Sequence, residues 1–323
     1  MANPASTGST LYRQLQNYMA GHTDYYPLYR PGAVTWFVAP STYTAVANGV
    51  APSNSNSGET PMDPLATIAQ AHTNCVAGRG DTICLMPGTY TLTGILALTK
   101  SAISLVALKP YSANITGDGV IVGLMSIDGN DMTLAGLRFA GVAAAVTLVD
   151  IANTTAVRNT HIHHCKFIGL ETVAGVTGIL NGELLSGNDA AHTIIEDCEF
   201  EGLSVGCITT YGGGCQIRRN SFNIDDTAAA TAISIGDLGA AFAGRKACFI
   251  WGNMFTGQLD AGTLLAITFL GTEANSQIVN VYNNHLGSCG GASASISQDH
   301  HPESLGWNFA GTSTAPTLID PTA

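Results

Sequence analysis

Six segments of the chain share one pattern: an aliphatic residue, two variable residues, usually Asn or Cys, one more variable residue, then Phe or Leu. They are Leu134–Phe139, Ile162–Phe167, Ile195–Phe200, Ile217–Phe222, Ile250–Phe255 and Val281–Leu286. Aligned, their variable positions gather most of the reactive side chains. The first variable column reads Ala135, His163, Glu196, Arg218, Trp251, Tyr282, and the second Gly136, His164, Asp197, Arg219, Gly252, Asn283. The position before Phe reads Arg138, Lys166, Glu199, Ser221, Met254, His285. If the segments stack, carboxylates of one coil lie between cations of its neighbours. Such a cluster could line a sugar-binding groove, with Arg218 or Arg219 as base and Glu196 or Asp197 as acid or metal ligand. The same charges would also steady strand pairing by a few tenths of a kcal/mol each. A two-carboxylate glycosidase needs its carboxyls about 5–5.5 Å or about 6.5–9.5 Å apart. That spacing calls for carboxylates one or two coils apart, whereas Glu196, Asp197 and Glu199 share a segment. The pattern predicts a charge ladder and leans away from catalysis.

Other candidates have simpler explanations. His161, His163, His164 and Cys165 could suggest zinc, but alternating residues on a flat strand lack a third ligand above them, and a solvated His stripe is expected. Asp225-Asp226 and Asp299-His300-His301 fall where Asp supports turn geometry. Gly202-Leu-Ser204-Val-Gly206 matches a nucleophile elbow but falls at a repeat turn, without the strand–turn–helix context. No metal or other cofactor is expected.

The elements that would position these columns are short. The terminal Phe/Leu residues fall 22 to 33 residues apart, too irregular for a helical array but natural for coils of short strands joined by variable turns. Clusters such as Ile233-Ser-Ile235 and Ile278-Val-Asn-Val281 are β-branched, and Gly, Asn and Asp punctuate them. A strand this short buries its apolar face only when successive coils stack into a continuous core. Parallel stacking brings equivalent residues to about 4.8 Å. Phe then stacks on Phe inside, and an inward Asn hydrogen-bonds the backbone of the next turn.

At this point the chain resembles the pectin-lyase-like right-handed parallel β-helix superfamily. Gly80–Tyr90 looks like that family's opening strand and turn, and Asp63–Val76 like the amphipathic helix that caps its N-terminal end. The resemblance implies an all-β fold: a right-handed parallel β-helix solenoid with an N-terminal helical cap and a short helical arm. The expected organisation is an arm at 1–35, linker and capping helix at 36–80, β-helix at 81–290 and a tail at 291–323. The scaffold hosts lyases, hydrolases, tailspikes and inert structural proteins, so resemblance alone leaves function open.

Composition narrows the rest. Of 323 residues, 12 are Lys or Arg and 23 Asp or Glu, a net charge of −11, which excludes a basic nucleic-acid groove. Hydrophobic residues make up 46%, so the chain is not disordered. No apolar run approaches the roughly 20 residues that span a membrane. The first residues carry no recognisable leader, and none of the eight cysteines forms a Cys-x-x-Cys pair. Buried free thiols are therefore expected. Only 11% of residues are charged, and both Ala143–Ile151 and Thr263–Leu270 are apolar at successive positions, which predicts a covering partner. Residues 9–22 place Leu11, Leu15, Tyr18 and Met19 on one helical face for docking. Together these features predict a non-enzymatic bacteriophage virion protein, a capsid decoration or tail-associated homotrimer held to a capsid or tail protein. The alternative is a carbohydrate-active tailspike depolymerase, or a polysaccharide lyase or hydrolase acting on a surface glycan.

Overall fold

The computed structural model describes residues 32–43, 49–141, 146–152, 154–169, 175–182, 190–211, 213–223, 231–236, 247–256, 266–270, 278–287, 304–305, 308–311 and 317–319. Within them the chain winds through three parallel sheets, two of ten strands and one of seven. Seven successive coils, from Thr82 to Leu270, contribute one strand to each sheet, the arrangement of a parallel β-helix, and Val157–Arg158 and Ala190–Ala191 form a further two-stranded parallel pair. The strands Leu134–Phe139 and its equivalents span the first two sheets. Thr133–Ala135, His161–His163, Ile194–Glu196, Gln216–Arg218 and Ala247–Trp251 belong to the first sheet. Arg138–Ala140, Lys166–Ile168, Glu199–Glu201, Ser221–Asn223 and Met254–Thr256 belong to the second.

The corner between these sheets is made the same way each time. Gly136, His164, Asp197, Arg219, Gly252 and Asn283 all take a left-handed conformation, with φ between 51 and 68°. That conformation turns the chain sharply and leaves the side chains of His164, Asp197 and Arg219 at the outer corner. It is costly for residues other than Gly and Asn. The residue that follows points inward and holds the corner. Asn253 Nδ2 donates to the Ile217 carbonyl at 3.0 Å, and its Oδ1 accepts from Asn220 N at 2.9 Å. Asn220 and Asn284 repeat the arrangement on neighbouring coils. Cys165 and Cys198 replace Asn with a thiol that donates back to the His163 and Glu196 carbonyls.

Phe139, Phe167, Phe200, Phe222 and Phe255 then stack inside at centroid separations of 4.8–5.1 Å, with planes within 12° of parallel. They belong to one continuous core with the aliphatic columns of all three sheets. The seven described cysteines are buried free thiols.

The helix α1 (Ile68–Asn74) closes the N-terminal end, burying Ile68 and Ala71 against the first coil. It starts later than the run 63–76 suggests, because Thr67 caps it by accepting from Gln70 N at 3.2 Å. Buried Asp81 ties this end together. It accepts both arms of Arg79 at 2.6 Å and the amides of Val34 and Val76. The sheets also extend beyond the expected 81–290. Thr35–Val38 pairs in register with Thr82–Leu85, and Ser304–Leu305 and Asn308–Gly311 continue the first and second sheets. Thr317–Ile319 then pairs antiparallel on the last edge. Thr35–Val38 lacks the Asn/Cys-x-Phe sequel that marks the segments from Ile162–Phe167 to Ile250–Phe255, so its sequence hides its membership. No helix among the described residues is long and apolar enough to cross a membrane. The arm residues Leu11, Leu15, Tyr18 and Met19 lie outside the described residues, as do Asp225, Asp226 and residues 299–301.

Candidate functional site

One outward column of the first sheet runs Phe37, Cys84, Val106, Ala135, His163, Glu196, Arg218, Trp251, Tyr282. Its first four residues are buried under Tyr43 and Leu108. The column turns polar where that cover ends, so the charged cluster sits beside an apolar lid.

Glu196 is the centre of the cluster, with only 6% of its side chain exposed. Its Oε1 lies 2.8 Å from His161 Nε2. Its Oε2 takes hydrogen bonds from Arg218 Nε and, at 2.7 Å, from Arg219 Nη2. Arg219 also grips Asp197 with both arms, at 3.0 and 2.8 Å. Burial pushes the Glu196 carboxyl up, but the bonds from His161 and Arg218 outweigh it and hold it well below the usual carboxylate range. Glu196 is therefore an anion at neutral pH and can only accept. In the neutral imidazole, His161 Nε2 then carries the proton and Nδ1 the lone pair.

His163 departs from the solvated stripe expected of it. It is fully buried, its ring tilted 33° against that of His161 at 4.4 Å, with Nδ1 3.0 Å from His164 Nδ1. Burial, then the neighbouring His161 and His164, push it down to about 3. It packs beside Ala135 at the edge of the apolar lid, and a neutral ring suits that position.

The roles expected of the arginines and carboxylates are corrected by this geometry. Arg219 is held in ion pairs that raise its pKa, chiefly by its bond to Asp197, so it stays charged and cannot serve as a base. An ionised, triply gripped Glu196 cannot serve as an acid. Trp251 is no open platform for a sugar ring either. Arg218 lies 5.2 Å over one face, and Tyr282 stacks parallel at 5.7 Å. His161 is the group that alignment by columns undervalued. Its register partner is Ile194, so its contact with Glu196 is diagonal and invisible in a vertical reading.

Around the corner, the second sheet carries a groove of about 540 Å³ lined by Tyr111, Arg138, Lys166, Ile168, Gly169, Glu201 and Gly202. Lys166 pairs with Glu199 at 3.2 Å and Glu201 at 2.9 Å. The Tyr111 hydroxyl donates to Glu199 at 3.3 Å, across 88 residues of sequence. Among the reactive groups, Arg138, Lys166 and Glu199 fall in a sequence column, whereas Tyr111 and Glu201 carry no repeat signal.

No family model matches the chain, and no curated protein matches it. Its fold is similar to that of several solved carbohydrate-active enzymes. A pectin methylesterase in complex with a hexasaccharide aligns with a TM-score of 0.57 at 11% identity, covering 90% of this chain and 91% of that one. Pectin methylesterase PemA from Erwinia chrysanthemi aligns at 0.56 and 12% identity over 87% and 90%. A pectin methylesterase from Aspergillus niger aligns at 0.54 and 10% identity over 91% and 93%. At such identities the likeness establishes a parallel β-helix.

These neighbours on the same fold are enzymes, which corrects the expectation of a non-enzymatic virion structural protein. One physical premise of that expectation also fails. The described part of the apolar run ending at Ile151 is covered within a single chain, with Val146, Leu148, Val149 and Ile151 at most 1% exposed; residues 143–145 lie outside the described residues. Leu148 and Val176 both lie against Gly141, where a Cβ would come within 3.6 Å of Leu148 and 3.1 Å of Val176. Residues 146–151 need no partner to cover them.

Proposed function

We propose that the protein is a carbohydrate-active enzyme that processes a polysaccharide on the outer face of the first sheet, with His161 as general base. The observation that carries the reading is the buried, ionised Glu196 holding His161 Nε2 at 2.8 Å. A carboxylate in that position fixes the ring's orientation and tautomer, and stabilises the imidazolium formed when Nδ1 takes a proton. The proton comes from an attacking water, or from the substrate carbon whose loss of a proton begins elimination. Arg219, about half exposed at 48% of its side chain, is available to hold the negative charge that develops on a substrate oxygen. Because Glu196 and Asp197 are both tied to Arg219, two-carboxylate glycoside hydrolysis is disfavoured, and base-driven ester hydrolysis or elimination is favoured. The carbohydrate-active neighbours on the same scaffold support the reading.

The test is a panel of acidic, esterified and neutral polysaccharides, assayed for acid release, unsaturated ends and new reducing ends. Activity lost in His161→Ala with the fold retained supports the reading. Activity unchanged in that variant, or no product from any substrate, overturns it.

A further inference from the structure

We propose that the groove on the second sheet is a binding site for an acidic sugar, a ring bearing hydroxyls and one anionic substituent. This names the substrate class of the reading above and rests on it for the role of a glycan, but not for catalysis.

Arg138 and Lys166 stand directly opposite each other on adjacent parallel strands. Strands lie about 4.8 Å apart, and like charges facing across them repel. Lys166 is drawn away by Glu199 and Glu201 on its far side. Arg138 has no such escape. Its other neighbour is Asn114, and among the described residues no carboxylate pairs with it. The Asn114 Oδ1 beside it is itself buried without a partner among the described residues. The groove's two cations are matched in number by Glu199 and Glu201, but both carboxylates bind Lys166, which leaves Arg138 the cation without a direct carboxylate partner among the described residues. A carboxylate or sulfate ester seated on the Arg138 fork would relieve the repulsion and gain paired, charge-assisted hydrogen bonds.

The remaining walls ask for more than a bare anion. Glu201, 48% exposed at its side chain, can only accept, so it calls for hydroxyl donors from the ligand. Ile168 offers an apolar surface, and Tyr111 bridges the groove to Glu199. A volume of about 540 Å³ is in the range of small-molecule sites and far exceeds what one oxyanion fills. A hydroxylated ring with one negative group matches all three features.

Titration calorimetry of the full chain with glucuronate, glucose and sulfate tests this. Glucuronate should bind at least about tenfold more tightly than either glucose or sulfate. Arg138→Gln should weaken glucuronate about tenfold or more with an unchanged melting temperature, and Arg138→Lys should fall between. His161→Ala should bind glucuronate as the wild type does, so failure of catalysis and failure of this site read separately. Sulfate binding as tightly as glucuronate would mark a simple oxyanion site and overturn the proposal. Equal binding of glucose, no heat with glucuronate up to about 50 mM, or insensitivity to both Arg138 variants would overturn it as well.

Discussion

His161 reaches Glu196 diagonally, from one coil to the next, and not through its own register partner Ile194. That diagonal converts what is otherwise a ladder of strand-stabilising charges into an oriented imidazole. Two positively charged arginines on the far side of Glu196 keep it ionised, so the histidine faces an anion that only accepts protons in hydrogen bonds. The pair should behave as a unit. Glu196→Gln should leave the fold intact but reduce turnover by about 10²- to 10⁴-fold, the usual worth of a positioned base. His161→Ala should cost as much, and the double variant no more than either alone. Initial rates on the substrate identified by the polysaccharide panel check this; additive losses would mean that the two residues act separately.

Acid should destabilise the protein in two stages. His163 is held neutral by burial, with its pKa lowered from 6.5 to about 3. Between those values the unfolded chain binds a proton that the folded chain does not. Stability is therefore full above about pH 6.5 and falls as pH drops toward 3. Glu196 adds to the loss. Its carboxyl is depressed from 4.5 in the folded state, so its contribution is present above that value and fades below it. Chemical denaturation between pH 8 and 3 should show the first decline beginning near 6.5. In His163→Phe that first stage should shrink to the part contributed by His72, whose pKa burial also lowers, while the decline below 4.5 persists.

Asn253 should be among the most sensitive interior positions. Its side chain joins Asn220, the Ile217 carbonyl and Asn284 in one buried chain of hydrogen bonds. Asn253→Ala strands several buried donors and acceptors, each costing about 1–3 kcal/mol. A loss of roughly 3 kcal/mol or more is expected in urea unfolding. Asn253→Cys should cost less, because the same column already accepts Cys165 and Cys198 with their thiols turned back to a carbonyl.

The Phe and Asn/Cys columns were legible in the sequence because they point inward, and the interior of every coil imposes the same demand. The charged column was legible as a ladder for the same reason, since Glu196, Arg218 and Trp251 are register partners. What escaped were contacts that leave the register. His161 crosses a diagonal, and Tyr111 reaches Glu199 over 88 residues from a left-handed turn of its own. The burial of His163 escaped too, because the cover over Phe37, Cys84, Val106 and Ala135 comes from Tyr43 and Leu108, which lie outside the repeats. The apolar run ending at Ile151 misled in the opposite direction. Leu148 is outside the six aligned segments, and its contact with Gly141 cannot be read from hydrophobicity.

Gly169 lines the groove of the second sheet where two coils lie close together. A Cβ there would lie 1.9 Å from the Gly202 carbonyl oxygen and 2.9 Å from the Leu203 Cα. Both are backbone atoms of the adjacent coil, so no side-chain rotation relieves the clash and the coils must part. Gly169→Ala should therefore destabilise the fold by about 1–3 kcal/mol, and because Gly169 and Gly202 both line the groove, it should weaken glucuronate binding at the same time. Gly94→Ala is the matched control. Nothing lies within 4 Å of a Cβ at that position, so the substitution should be neutral or stabilise by about 0.4–1 kcal/mol through the unfolded chain. Parallel urea titrations of the two variants, with glucuronate calorimetry on each, decide the matter. Equal stability of the two alanine variants would show that the coils have slack at Gly169, and that its small size is not what sets the groove's floor.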